Sequence, residues 1–340
     1  MKSMESEYIK EIAFEDADSF LKAINYGGEL YNVFNSGFVF RGHGSDKYSL
    51  VPYALREGAL YRYYPLKDLT EEQAVLVSNL EYAQILQEYN ILQLFYNNCD
   101  RHILRVPECE RLRHNVIHGY DELSIFGEEE WLPVDLWEIG ALAQHYGLPT
   151  RLLDWSTNIH TALYFAVRDY IKPLSVSEQI SYQKEYFMSR GKLADGRIEI
   201  WALDTKVTIA KDKMFPLKLI RPAYNGNPNL AAQEGVFTLW SIKKPVISDK
   251  DFKICVDFVN RSPLDELLVK ELERQGTEIR PYMYRVTIPR KSSVAIYSYL
   301  KNLGHTAAKL FPGYGGVSQS IQEEYLFRNI SGLKKSATSE

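Results

Sequence analysis

The sequence predicts an α+β fold, a mixed and mainly antiparallel sheet core with surrounding helices and a helical insertion. Helices and strands interleave without the regular βαβ rhythm of a doubly wound sheet. Short strand-like runs recur at 38–40, 197–203, 235–240 and 284–289, the second alternating polar and apolar residues with period two. A long stretch of helical period, residues 66–130, separates two blocks rich in motifs. It divides the chain into an N-terminal part (1–65), the insertion, a remainder (131–330) and a polar, loose tail (331–340).

In chain order, Phe20, Leu21 and Ile24 fall at helical spacing within 14–26, and Gly27-Gly28 stops that helix. Phe38-Val39-Phe40 reads as a buried strand with a cation, Arg41, at its exit. Thr70-Glu71-Glu72-Gln73 is a capping box that starts a helix from about Glu71 to Asn97, striped by Leu76, Leu80, Ala83 and Leu94. A mostly helical segment follows between Arg101 and His118. Pro133 opens a helix that Gly147 ends near Tyr146. Thr150 to Leu153 reads as extended, and Ser156 or Thr157 as the cap of a helix whose Ala162, Phe165 and Ala166 face the core. Ser262-Pro263-Leu264-Asp265 opens a helix to about Arg274, and two short helices are expected near 290–303 and 316–324.

The composition, 45% hydrophobic and 25% charged, is that of a globular protein. A net charge of −4 argues against broad non-specific DNA binding. The three cysteines form no CxxC pair, so structural zinc is not expected and a reducing cytoplasm is. No signal peptide and no membrane partner are expected, because the apolar stretches are short and interrupted. The 24 tyrosines suit half-buried packing and flat ligands alike.

No Walker A, HExxH, GxSxG or GxGxxG pattern occurs, so chemistry must rest on polar clusters. The first is Phe40-Arg41-Gly42-His43: a planar fork of donors followed by a residue that admits close backbone approach. As bare residues, Arg41 reads first as the partner of a core carboxylate. The second cluster runs from Gln144 through His145, Tyr146, Gly147, Thr150, Arg151, Asp154, Trp155, Ser156 and Thr157. So many polar groups around one expected strand-to-helix turn at Asp154-Trp155-Ser156 favour a pocket for an anion, against the plainer reading of a helix cap plus one buried ion pair. The third, Asn229 to Gly235 with Gln233 and Glu234, reads by itself as a solvated turn before a strand.

Phe40-Arg41-Gly42, Ala143-Gln144-His145-Tyr146-Gly147-Leu148-Pro149-Thr150-Arg151-Leu152-Leu153-Asp154-Trp155-Ser156, Ala232-Gln233-Glu234-Gly235-Val236-Phe237 and Leu310-Phe311-Pro312-Gly313 together resemble the FRG domain, a bacterial family, over about residues 14–325. That resemblance implies association with mobile elements and phage defence. A further likeness is to ADP-ribosyltransferases, in the order of Arg41, Ser156-Thr157 with Ala162-Leu163-Tyr164-Phe165, and Gln233-Glu234. It implies Arg41, Gln233 and Glu234 as catalytic residues and NAD as substrate. His43, His145, Tyr146, Arg151, Asp154, Trp155, Ser156 and Thr157 would line the nucleotide pocket, and a protein or nucleic acid would be the target. Strand alternation lets only one of Gln233 and Glu234 face that pocket. The alternatives are a non-catalytic nucleotide or nucleic-acid sensor and, last, a metal-dependent hydrolase using His43, His145 and Asp154. The oligomeric state is not written in the sequence.

Overall fold

The computed structural model describes residues 7–35, 37–60, 63, 80–114, 130–171, 196–209, 215–225, 227–243 and 258–336. Its strands are β1 Ile9–Ala13, β2 Phe38–His43, β3 Glu130–Trp131, β4 Leu152–Ser156, β5 Arg197–Asp204, β6 Leu217–Ile220, β7 Gly235–Trp240, β8 Ile242–Lys243 and β9 Met283–Pro289. Its helices are α1 Ala17–Ile24, α2 Glu29–Phe34, α3 Glu81–Arg101, α4 Glu110–His114, α5 Trp137–His145, α6 Ile159–Ile171, α7 Lys206–Ile209, α8 Pro228–Ala232, α9 Leu264–Arg274, α10 Ser293–Asn302, α11 Ala307–Leu310 and α12 Tyr314–Ser336.

Seven strands form one sheet in the order β1-β9-β5-β2-β4-β7-β6, and β3 pairs β8 separately. Within the large sheet only β1 and β9 run parallel, so the α+β, mainly antiparallel expectation holds.

Alternation along β5 sorts the core. Ile198, Ile200 and Ala202 pack with Phe40 and with α1, α6 and α10, whereas Trp201 and Leu203 pack with Val39, Leu153, Trp155, Val236 and the Leu264-Leu268-Leu272 stripe of α9. Under β4, β6 and β7 lies a third cluster, in which Ile85, Tyr89 and Leu92 of α3 meet Trp131, Leu152, Phe237 and Leu239. The insertion helix therefore shares a core with the sheet. Ordering it there buries large aromatics, since Tyr89 and Trp131 are almost fully enclosed.

The sheet is pinched at one place. β2 and β4 share a single register pair, Phe40 with Ser156, while β2 with β5 and β4 with β7 are paired along their lengths. Beyond that pair the two middle strands part, and the gap between them is where the site lies. Gly42 stands at the gap because α6 crosses it: a Cβ there would meet the Ala162 carbonyl oxygen at 1.8 Å. The close approach expected of this glycine is thus made by a helix.

Several expectations are corrected. Asp154, Trp155 and Ser156 lie within β4, not in a turn. Ser156 and Thr157 do not cap α6; Asn158 Oδ1 accepts from His160 N at 2.9 Å, and Ser156 Oγ accepts from Asn158 N at 3.0 Å. The stretch around Asn229 is no open turn but the short helix α8, capped by Asn227. The long insertion helix is seen from Glu81 to Arg101; its expected capping box at Thr70 lies outside the described residues. The last helix runs to Ser336, past the start of the expected loose tail, and is anchored where Phe327 stacks on Tyr297 at 3.8 Å.

Candidate functional site

The β2–β4 gap opens into a cavity of about 930 Å³. Arg41 and His43 from β2, His145 and Tyr146 from the end of α5, Asp154, Trp155 and Ser156 from β4, and Gln233 ahead of β7 all line it. The sequence marks these positions as far apart; neighbouring strands β2, β4 and β7 bring them together.

Arg41 is the hinge of the arrangement. Its Nη1 donates to both the Asp154 carboxylate and the Asp154 carbonyl at 2.7 Å, and its Nε donates to His43 Nε2 at 3.0 Å. His43 Nε2 must then be an acceptor, which places the ring proton on Nδ1, donating to Glu199 Oε1 at 2.7 Å. Glu199, fully buried, also accepts from Trp201 Nε1 at 3.0 Å and from Arg285 Nε at 2.8 Å. Burial pushes His43 below the usual histidine range and holds it neutral. Burial pushes the Glu199 carboxyl up, but its bonds from His43 and Arg285 outweigh that and keep it ionised.

Asp154 sits at the open end. The surrounding protein raises its carboxyl by partial desolvation, the Arg41 guanidinium lowers it by more, and the net direction is down, so the group is a carboxylate although its side chain reaches water. Its side chain is 59% exposed, against 13% for Arg41, so the carboxylate faces open volume. Gln144 Nε2 reaches Asp154 Oδ1 at 3.4 Å, and Thr150 donates to Gln144 at 2.8 Å. Burial also lowers His145, with Asp154 opposing, which leaves a neutral imidazole on the wall beside the exposed Tyr146. Lys47 and Arg56, both exposed, add two cations to the lining, and Phe165, Phe237 and Phe311 give it an apolar side.

Three assigned residues are elsewhere. Arg151 is 4% exposed and does not reach the cavity: its guanidinium is bound by Glu88 at 2.7 Å and by Glu81, both from α3. Glu88 accepts from Trp131 and Gln84 as well, so Arg151 is the buried ion pair of the plainer reading. Thr157 and Glu234 line a second, smaller cavity with Asn158 and His160. Of the adjacent pair it is Gln233 that faces the large cavity, its Nε2 donating to Leu310 O at 3.1 Å. Ser156 and Trp155 touch the cavity but spend their donors on structure, Ser156 on Gln233 O and Trp155 on Thr238.

Glu199, Lys47 and Arg56 were not assigned from sequence. Glu199 occupies a polar position of an alternating strand, which ordinarily faces water; here it shares its face with Trp201 and Leu203, and that face is covered by the α9 cluster. The metal alternative loses His43, whose two ring nitrogens are already bonded. Among the described residues, no group of three or more His, Cys, Asp or Glu could hold a metal ion, and no helix is long and apolar enough to cross a membrane.

No curated protein and no solved structure matches the chain. Residues 36–173 match the model of the FRG domain, from the strand that carries Phe40-Arg41-Gly42 to the helix that Gly42 admits, so this part of the chain is an FRG domain.

Proposed function

We propose that the cavity in the β2–β4 gap binds a dinucleotide and that the protein uses NAD as an ADP-ribosyl donor, to water or to a protein or nucleic-acid acceptor. One observation carries this reading: β2, β4 and the turn that enters β7 set Arg41, Asp154 and Gln233 on one cavity whose lining holds three cations, Arg41, Lys47 and Arg56, against one carboxylate. The cations suit a pyrophosphate, with Arg41 contributing its free Nη2. Asp154, not Glu234, is the acid in reach. Its second oxygen would accept from a ribose hydroxyl and stabilise the positive charge that develops at C1′ as the bond to nicotinamide breaks. The bond's electron pair leaves with the pyridinium ring, which becomes neutral nicotinamide. Gln233 would hold the ribose from the end of α8, and His145, neutral, would take the proton of the attacking hydroxyl.

Purified protein incubated with NAD should release nicotinamide, and Asp154→Asn should lower the rate about a hundredfold or more. If neither nicotinamide release nor thermal stabilisation by ADP-ribose is seen, the proposal fails. A second reading, a nucleotide sensor without turnover, is favoured by the placement of Glu234 outside this cavity. It predicts stabilisation by ADP-ribose or NAD with no product. Consumption of NAD would suit a toxin or anti-phage effector, and growth arrest on expression, absent in Asp154→Asn, is the matching test in cells.

A further inference from the structure

Gln233 and Glu234 are consecutive, yet they face two cavities. Glu234 has a left-handed backbone, φ 49°, which a side-chain-bearing residue adopts at a cost and which recurs where function requires it. That turn sends its carboxylate into the smaller cavity, about 260 Å³, together with Asn25, Tyr26, Tyr31, Phe34 and His160. Phe40 lines both cavities.

The chemistry of the small cavity is the reverse of the large one. Its one acidic side chain is Glu234. Oε1 accepts from Asn158 Nδ2 at 2.9 Å and Oε2 from Thr157 Oγ1 at 3.2 Å, both neutral donors. Among the described residues no cation comes within ion-pair distance of it. Lys309 of α11 lies at 3.3 Å from His305 Nε2. His160 is pushed down to about 4 by burial and by His305 and Lys309, so it adds no charge near neutral pH. Two bonds leave a carboxylate with unused lone pairs. The same cavity is lined by two aromatic rings open to solvent: Tyr26 is 91% exposed and Tyr31 37% exposed, edge-on to each other at 5.5 Å.

We infer that this second cavity is a binding site for a guanidinium group, held by the Glu234 carboxylate and lying against the Tyr26–Tyr31 ring pair, its face on Tyr26. A guanidinium fits on three counts. Its fork meets a carboxylate with two hydrogen bonds, its plane stacks on an aromatic ring, and its charge balances Glu234. A phosphate would meet the carboxylate with no cation to offset it. The chemistry is shared by a small guanidine and by an arginine side chain of a protein partner. In the second case the partner would lie alongside whatever the large cavity holds, with only the Gln233–Glu234 turn and Phe40 between. This inference does not rest on NAD use.

The test is a calorimetric titration of the full chain with ethylguanidine, with ethylamine, and with a short peptide carrying one arginine. Saturable millimolar or tighter binding of ethylguanidine is expected, with ethylamine weaker. Glu234→Gln should weaken it roughly tenfold or more. Tyr26→Ala, at a position too exposed to matter for folding, should weaken it about threefold or more. Asp154→Asn should leave it unchanged. Tighter binding of the peptide than of ethylguanidine identifies a protein partner; equal binding identifies a small guanidine. No binding in the millimolar range, binding indifferent to both Glu234→Gln and Tyr26→Ala, or binding lost in Asp154→Asn overturns the inference. ADP-ribose titrated into the same samples reads the large cavity separately, so failure there leaves this result standing.

Discussion

Arg41 and Arg151 belong to the same polar vocabulary, one on β2 and one just ahead of β4, and they do opposite things. Arg151 lies between two carboxylates, Glu81 and Glu88, with Trp131 and Gln84 completing the bonding of Glu88. Every strong group there is spent, and the network ties α3 to the sheet. Arg41 has one carboxylate partner, and that partner is itself 59% exposed. Guanidinium and carboxylate both retain bonding capacity, and it faces about 930 Å³ of open volume. A binding site is marked by polar capacity left over beside open space, and density of polar residues alone does not separate the two cases.

The comparison can be broken most directly at Arg151. Arg151→Met leaves two carboxylates buried without a counter-charge, and burial already pushes Glu81 upward despite Arg151. Loss of about 3–5 kcal/mol of stability in urea unfolding is expected, with the remaining folded fraction still stabilised by ADP-ribose. A loss below about 1 kcal/mol, the scale of an exposed pair, would show that Arg151 is no lock.

The next effect is acid. His43, His145, His160 and His305 are all shifted down, chiefly by burial, His160 to about 4. An unfolded histidine takes its proton near pH 6.5, whereas these stay neutral in the folded protein. Over that window the unfolded chain binds more protons, so stability is full above about pH 6.5 and declines as pH falls toward 4. Protonated His43 would also turn an N–H toward the Arg41 Nε–H, so acid opens the Arg41 network, whereas the Arg151 network contains no histidine. Melting temperatures from pH 7.5 down to 4.5 should fall, and less steeply in His160→Asn. A flat profile would contradict the neutral assignments.

How much of this was legible in the sequence depends on what sets each feature. Strand periodicity and the lack of βαβ rhythm are local properties, and they give the α+β class and most of β5, β7 and β9. The convergence of Phe40-Arg41-Gly42, His145-Tyr146 and Asp154 follows from a motif resemblance; nothing in their spacing requires it. What the sequence hides is direction. Arg151 and Asp154 are three residues apart, and which one meets a cavity depends on α3, distant in sequence, supplying Glu81 and Glu88 to one of them. Gln233 and Glu234 are told apart only by a left-handed turn at Glu234. Glu199 looks like a solvent-facing residue until α9 and the residues packed with Trp201 and Leu203 cover its face of the sheet.

The smallest expected change in stability, and the sharpest form of the comparison, is at the cavity itself. Arg41→Ala removes hydrogen bonds to Asp154 and His43 but leaves a carboxylate that water already reaches, so it should cost about 1 kcal/mol, well short of Arg151→Met. Lys47→Ala removes an exposed side chain and should stay within about 0.5 kcal/mol of the parent. Binding should rank differently. If Arg41 and Lys47 both meet a pyrophosphate, each substitution weakens ADP-ribose roughly tenfold, because a charge-assisted contact is lost either way. Urea unfolding and an ADP-ribose titration on the same two variants separate the two quantities. Should Arg41→Ala destabilise the fold as strongly as Arg151→Met while leaving affinity intact, Arg41 is a second lock and the β2–β4 gap is not a site.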